Sequence, residues 1–174
     1  MALNEEEFTV IFGEVYPNLC RFLESMLGSH GAAQDIAQES FMRLFRQGAN
    51  DIPAAEARFW LFRVARNLAL NELRNKKRRG GFFDKILEAL YPHRPNQAET
   101  LERDEATRLA IEMLQTLPEH QRAVLLLREQ EEMSYREISE VLKVSEDKVK
   151  VDIFRARNTL RKNESLKQSL YLSR

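Results

Sequence analysis

One cysteine, three histidines, one tryptophan, five prolines and six glycines among 174 residues exclude several chemistries at the outset. A lone Cys20 leaves no internal disulfide, which fits a reducing cytoplasm. His30, His93 and His120 lie far apart and make no metal-ligand spacing with Cys20, so no metal site is expected. No apolar run approaches the roughly 18–20 residues of a membrane span, and the opening residues MALNEEEF are acidic, unlike a secretory signal. Direct membrane insertion is therefore not expected. No phosphate loop and no Ser/His/Asp or Cys/His arrangement of interpretable spacing marks an enzyme, so no catalytic residue, cofactor or small-molecule substrate is expected. The scarcity of Gly and Pro, with 31% charged residues spread among regular apolar positions, describes a soluble, mostly helical chain.

The formal net charge of zero hides a strong segregation. Residues 1–57 carry a net of −6, residues 58–85 a net of +7, residues 86–147 a net of −7 and residues 148–174 a net of +6. Attraction to phosphates acts over a Debye length of about 8–10 Å, so local sign outweighs the total. Two basic blocks between acidic ones suggest two nucleic-acid contacts on one chain.

Phe8, Phe12, Val15, Leu19, Leu23 and Met26 recur at helical spacing, with Asn4 and Glu7 as a cap. Pro17 interrupts the amide ladder there, which predicts a kink or two abutting helices. Gly28 and Gly31 bracket a turn. A second helix over about 32–47 buries Ile36, Ser40 and Leu44 and turns Asp35, Gln38, Glu39, Met42 and Arg43 outward. Pro53 precedes a third helix that ends at Gly80-Gly81. Residues 80–100 read as a linker able to reach roughly 70 Å, so the halves it joins need not touch. Its apolar FFDKILEALY segment is a candidate short amphipathic helix. Beyond it, Leu117-Pro118-Glu119 marks a stop and restart, with Pro at the first helical position. Val124, Leu125, Leu126 and Leu127 follow in a compact buried helix. Ser134 and Glu137 form a capping box, and Ser145 caps the next helix after a short turn at Lys143-Val144. Two short helices, a tight turn and a basic second helix make a helix-turn-helix candidate.

On the third helix Arg63, Asn67, Asn71, Arg74 and Arg78 fall within about 80° of arc, while Leu61, Val64, Ala65 and Leu68 face the core. Arginine holds phosphates and asparagine reads base edges, so the stripe suits a nucleic-acid strand. Lys77 belongs to the basic run Asn75–Arg79 that closes the helix, and Phe59 and Trp60 lie near the same face. In the last helix Val149, Ile153, Ala156 and Leu160 form the buried line. Val151, Phe154, Arg155 and Asn158 lie opposite, with Lys150 and Arg157 on one shoulder. Asp152 sits on the other shoulder, one turn after Lys148 and three residues before Arg155. Pairing with either is its expected role, with a hydrogen bond from cytosine N4 as the alternative.

Three segments in order, DIAQESFMRLFR, RFWLFRVARNLALNELRNKKRR and LPEHQRAVLLLREQEEMSYREISEVL…VKVDIFRAR, resemble the bacterial extracytoplasmic-function sigma factors of the sigma-70 superfamily. The resemblance covers about residues 8–79 and 105–162. It implies an all-α protein of two small helical domains: sigma region 2 over 1–79, a linker over 80–100, sigma region 4 with its helix-turn-helix over 101–165, and a tail over 166–174. It implies a cytoplasmic specificity subunit that directs core RNA polymerase to promoters, in a stress or envelope response. Asp35, Gln38, Glu39, Met42 and Arg43 would dock on the β′ clamp. Arg63, Asn67, Asn71, Arg74, Lys77 and Arg78 would contact the −10 element, with Asn67 at the position that meets a flipped-out base. Lys148, Lys150, Phe154, Arg155 and Arg157 would contact the −35 element. The second domain would touch the β flap, the linker would thread toward the RNA exit path, and an anti-sigma protein would hold the chain inactive.

The family commonly has Gly-Thr-Val-Lys-Ser-Arg where this chain has Asp147-Lys148-Val149-Lys150-Val151-Asp152. Weaker phosphate contacts and a −35 preference of its own follow from that departure. Two readings compete: a sigma-like module that binds polymerase without promoter recognition, and a helix-turn-helix repressor.

Overall fold

The computed structural model describes residues 3–48, 52–79 and 105–172. Seven helices make up the described chain: α1 Glu5–Leu27, α2 His30–Gly48, α3 Ala54–Arg79, α4 Glu105–Gln115, α5 Glu119–Glu129, α6 Tyr135–Leu142 and α7 Glu146–Leu172. The expected linker, with its apolar FFDKILEALY segment, lies outside the described residues. The segment expected as a tail begins inside a helix, because α7 continues to Leu172.

Local rules set the helix starts. At α1 the Asn4 side chain accepts from Glu7 N while Glu7 returns a bond to Asn4 N, and Glu5, Glu6 and Glu7 favour the positive helix end. Ser134 and Glu137 make the same reciprocal box at α6, at 3.2 and 2.7 Å. Ser145 accepts from Lys148 N at the head of α7. Pro118 stands at the cap position of α5 rather than one residue inside it. The bonds from the Ser134 backbone and side chain hold the Glu137 carboxyl below its ordinary range. A depressed carboxylate stabilises the fold at neutral pH, and that contribution fades as pH falls through the folded-state value. Ser134→Ala is therefore expected to cost about 1 kcal/mol at neutral pH in urea unfolding and less in acid.

Of the two outcomes expected at Pro17, two abutting helices do not occur: α1 is one helix from Glu5 to Leu27 with Pro17 inside it. Pro17 and Gly13, whose carbonyl loses its partner, both sit on the exposed side, where water replaces the missing bond. The buried side meanwhile stays continuous through Val15, Leu19, Phe22, Leu23 and Met26. Phe12, expected in that stripe, is 43% exposed and stacks on Tyr16 with ring centroids 4.8 Å apart. On α2, Ser40 and Leu44 are buried as expected, but Ala33 and Ala37 complete the face and Ile36 is only half-buried. On α3 the core side runs through Ala57, Leu61, Phe62, Ala65 and Ala69, with Val64 and Leu68 at its margin. Phe62 meets Phe22 edge to face at 5.4 Å, joining α1 to α3. Such a pair contributes roughly 0.5–1.5 kcal/mol beyond its buried area.

The second half packs α5 against α7 and α6, burying Val124, Leu127, Ile138, Val149 and Ile153. Its apolar interior is continuous with that of the first half. The two halves touch along α1 and α3. Arg58 donates to Glu131 O at 3.0 Å and to its carboxylate at 3.3 Å, Gln115 Nε2 to Ser25 O at 2.9 Å, and Gln130 Nε2 to Ser25 Oγ at 3.1 Å. Arg122, only 4% exposed, donates to Met26 O, to Leu114 O, to Leu117 O and to both oxygens of Gln115. Burial pushes its pKa below the ordinary arginine value, and these five acceptors are what a charge in that position requires.

Candidate nucleic-acid and polymerase interface

The outward line of α2 forms on the side opposite Ala33, Ala37, Ser40 and Leu44. Asp35, Gln38, Met42 and Arg43 are exposed there and Glu39 half-exposed. Glu39 and Arg43 pair at 2.7 Å one turn apart, and that hydrogen bond holds the Glu39 carboxyl below its usual range. Beside the line lies an apolar strip that sequence spacing marked only at Met42. It consists of the exposed Met42 and Phe45, with Phe45 edge-on to Phe8 at 5.6 Å, and Phe12 edge-on to Phe41 at 5.0 Å. The face thus combines an apolar centre with a polar margin, the composition of a protein-binding patch.

On α3 the expected stripe divides in two. Asn67, Asn71, Arg74 and Arg78 are exposed on one side of the helix. Arg63 is not: its Nε donates to Val141 O at 3.3 Å and its Nη2 to Glu140 O at 3.1 Å. The last carbonyls of α6 lack partners within their own helix, and a guanidinium meets that need. Lys77 likewise bonds the Glu119 carboxylate. Arg66 lies just outside the arc expected from sequence, and Nη1 of its guanidinium donates to Asn67 Oδ1 at 3.1 Å. That bond holds the Asn67 oxygen toward Arg66, so the amino group is the donor the carboxamide can offer a ligand. Burial lowers the Arg66 pKa, and Arg74 nearby lowers it further. Phe59 and Trp60 are half-buried against the core, so they do not form a free stacking platform.

On α7 the geometry settles the place of Asp152. It is 2% exposed, on the inner side with Val149, Ile153 and Ala156. Both carboxylate oxygens accept from Lys148 Nζ at 2.6 Å, and His120 Nε2 of α5 lies 3.7 Å away. The pairing expected from spacing forms, but with deeper burial than a shoulder position suggests, because α5 covers that side. Lys148 is correspondingly committed to Asp152, and Arg157 to Glu129. Lys150 keeps only a long contact to Asp147, 3.7 Å, and Phe154 and Arg155 are exposed. Of the five residues expected to meet DNA here, Lys150, Phe154 and Arg155 therefore point outward with the least hindrance.

Sequence reasoning passed over Arg58, Arg66, Arg122 and Glu131. Arg122 had a signal: it stands three and four residues before Leu125 and Leu126, so helical phase puts a cation on the buried side. Arg58 and Glu131, 73 residues apart, had none.

Comparison with known proteins agrees with this geometry. The family profile of Sigma-70 region 2 matches residues 11–79, and that of Sigma-70, region 4 matches residues 107–160. The RNA polymerase sigma-H factor of Pseudomonas aeruginosa is 35% identical over 138 residues, spanning 75% of this chain and 72% of its own. The ECF RNA polymerase sigma factor SigW of Bacillus subtilis is 31% identical over 147 residues, 79% of this chain and 78% of its own. SigM of the same organism is 29% identical over 158 residues, 90% and 92% of the two chains. The sigma factor RpoE of Bartonella quintana, solved in complex with the anti-sigma factor NepR, shares the fold with a TM-score of 0.70 at 20% identity, over 90% of this chain and 96% of its own. The chain belongs to the extracytoplasmic-function RNA polymerase sigma factors, subunits that direct core polymerase to specific promoters.

Proposed function

We propose that this sigma factor holds the opened −10 strand on α3, reads the −35 element with α7, and docks on core polymerase through α2. The observation that carries the reading is the exposed file of Asn67, Asn71, Arg74 and Arg78, with the Asn67 oxygen accepting from Arg66. Two amides between cationic ends match a strand whose phosphates need charge and whose bases need hydrogen bonds. Region 2 is then the unit ending at residue 79, and region 4 the unit around α4 to α7, joined by residues 80–100. Arg63 and Lys77 join the −10 contact only by exchanging the α6 carbonyls and Glu119 for phosphates, so packing of the halves and DNA binding compete for the same cations.

Asp35, Gln38, Glu39 and Arg43 form the polar margin of the polymerase face and Met42, with Phe45, its apolar centre. The β′ clamp is the partner of this face, and the β flap the partner of region 4. An anti-sigma protein is a further partner, supported by the complex in which the similar RpoE was solved. The protein acts in the cytoplasm beside its polymerase; no helix among the described residues is long and apolar enough to cross a membrane.

Start-site mapping with core polymerase on a randomised promoter library, at several salt concentrations, tests the assignment. Arg74→Ala with Arg78→Ala is expected to lower initiation on all promoters alike and to reduce the slope of log affinity against log salt by about 1 to 2, one per phosphate contact. An unchanged salt slope would remove α3 from the DNA.

A further inference from the structure

The outward face of α7 has an unexpected centre. Val149, Asp152, Ile153 and Ala156 are buried, and at about 100° per residue their mean direction is opposite Val151. Val151 is 43% exposed and Phe154, one turn on, is 66% exposed. Lys148 and Arg155 lie to one side of them and Lys150 to the other. A helix that reads a major groove contacts base edges with its N-terminal residues, and Val151 is the sixth residue of α7. At the middle of this reading face stands an isopropyl group, with a phenyl ring beside it. Neither side chain donates or accepts a hydrogen bond.

Isolated exposed apolar residues are common and need no explanation. This pair differs because it occupies the centre of a face whose margins are basic: Asp152 is turned inward and paired with Lys148, and the exposed Asp147, one turn before Val151, lies 3.7 Å from Lys150. A serine or arginine at these places would read hydrogen-bonding edges. An isopropyl and a phenyl group select for the one apolar group that the major groove displays, the C5-methyl of thymine. Contact with a methyl also removes apolar surface from water on both partners, which no other base edge offers them.

We infer that Val151, with Phe154 beside it, reads thymine methyl groups, so that the −35 element preferred by this chain carries thymine opposite Val151. The inference rests on the reading of α7 as the −35 helix and adds what that helix prefers. The Lys150 and Arg155 contacts to phosphate or to neighbouring guanines set the register in which the methyl meets the isopropyl group.

The test begins with holoenzyme made from core polymerase and the full chain, and with −35 elements selected from a randomised library by initiation. Each thymine of the selected element is then replaced by deoxyuridine, which lacks only the methyl. At one position the replacement is expected to weaken promoter binding about threefold to tenfold. Val151→Ala is expected to show a similar loss on the thymine promoter and almost no further loss with deoxyuridine, because the methyl then has no partner. A merely structural role for Val151 would leave the deoxyuridine penalty intact. Selection of a defined element in which every deoxyuridine is neutral, or a penalty unchanged in Val151→Ala, would overturn the inference while leaving α7 as a reader of DNA. Selection of no −35 element at all would overturn both.

Discussion

Replacing Arg122 by alanine is expected to lower the unfolding free energy by about 3–5 kcal/mol, as much as truncating a large core side chain. The guanidinium satisfies Met26 O, Leu114 O, Leu117 O and both oxygens of Gln115. Truncation leaves several of these acceptors away from water without a donor, at about 1–3 kcal/mol for each that finds no replacement, and opens a cavity behind them. Four of the five bonds stay within the turn from α4 to α5, and one reaches α1. The loss should therefore persist even in a state where the two halves are apart. Arg122→Lys restores charge but not the planar fork, so it should recover one or two bonds and less than half of the loss. Urea unfolding followed by far-ultraviolet circular dichroism measures both variants. A cost below about 1 kcal/mol for the alanine variant would mean that water replaces the guanidinium and that the turn is held by its apolar contacts.

Much of this molecule is legible from sequence because its determinants are local. The boxes at Asn4 and Ser134 need only residues three apart, and both form. The pairing of Asp152 with Lys148 follows from a separation of four. The outward line of α2 and most of the stripe on α3 are matters of phase. What phase leaves undetermined is which neighbouring helix lies over a given face. Arg63 has the phase of a DNA-facing residue, yet it is consumed by carbonyls of α6 some 77 and 78 residues away. Phe12 has the phase of a core residue and remains exposed because α2 covers only part of α1. Pro17 carries a strong local signal for a break, which the packing of α1 overrides. Asp152 is more deeply buried than its own helix predicts, since α5 brings His120 against it. In each case the missing quantity is a contact between residues distant in sequence.

Asn67→Ala is expected to reduce initiation from preferred promoters by about 10- to 100-fold, with binding to core polymerase unchanged. The magnitude follows from leaving the acceptor of the extruded base without its donor, which costs about 1–3 kcal/mol. The geometry favours Asn67 over Asn71 as the source of that donor. Asn67 is exposed, and Arg66 occupies its Oδ1, leaving the amino group as the donor it can offer. A base displaying an acceptor toward α3 is then preferred, and a base displaying only a donor there is rejected. Extruding that base costs a few kcal/mol, so loss of its one specific partner should also slow strand opening. Asn67→Asp separates hydrogen bonding from shape: it keeps the size and the bond from Arg66 but replaces the donor by a second acceptor. Its preference should shift away from the wild-type base rather than merely weaken. On a library randomised over the −10 element, Asn67→Ala should flatten preference at one position, whereas Arg74→Ala lowers all sequences together. A uniform loss in Asn67→Ala, with the preference profile intact, would reduce Asn67 to a strand-holding residue and move base recognition elsewhere on α3.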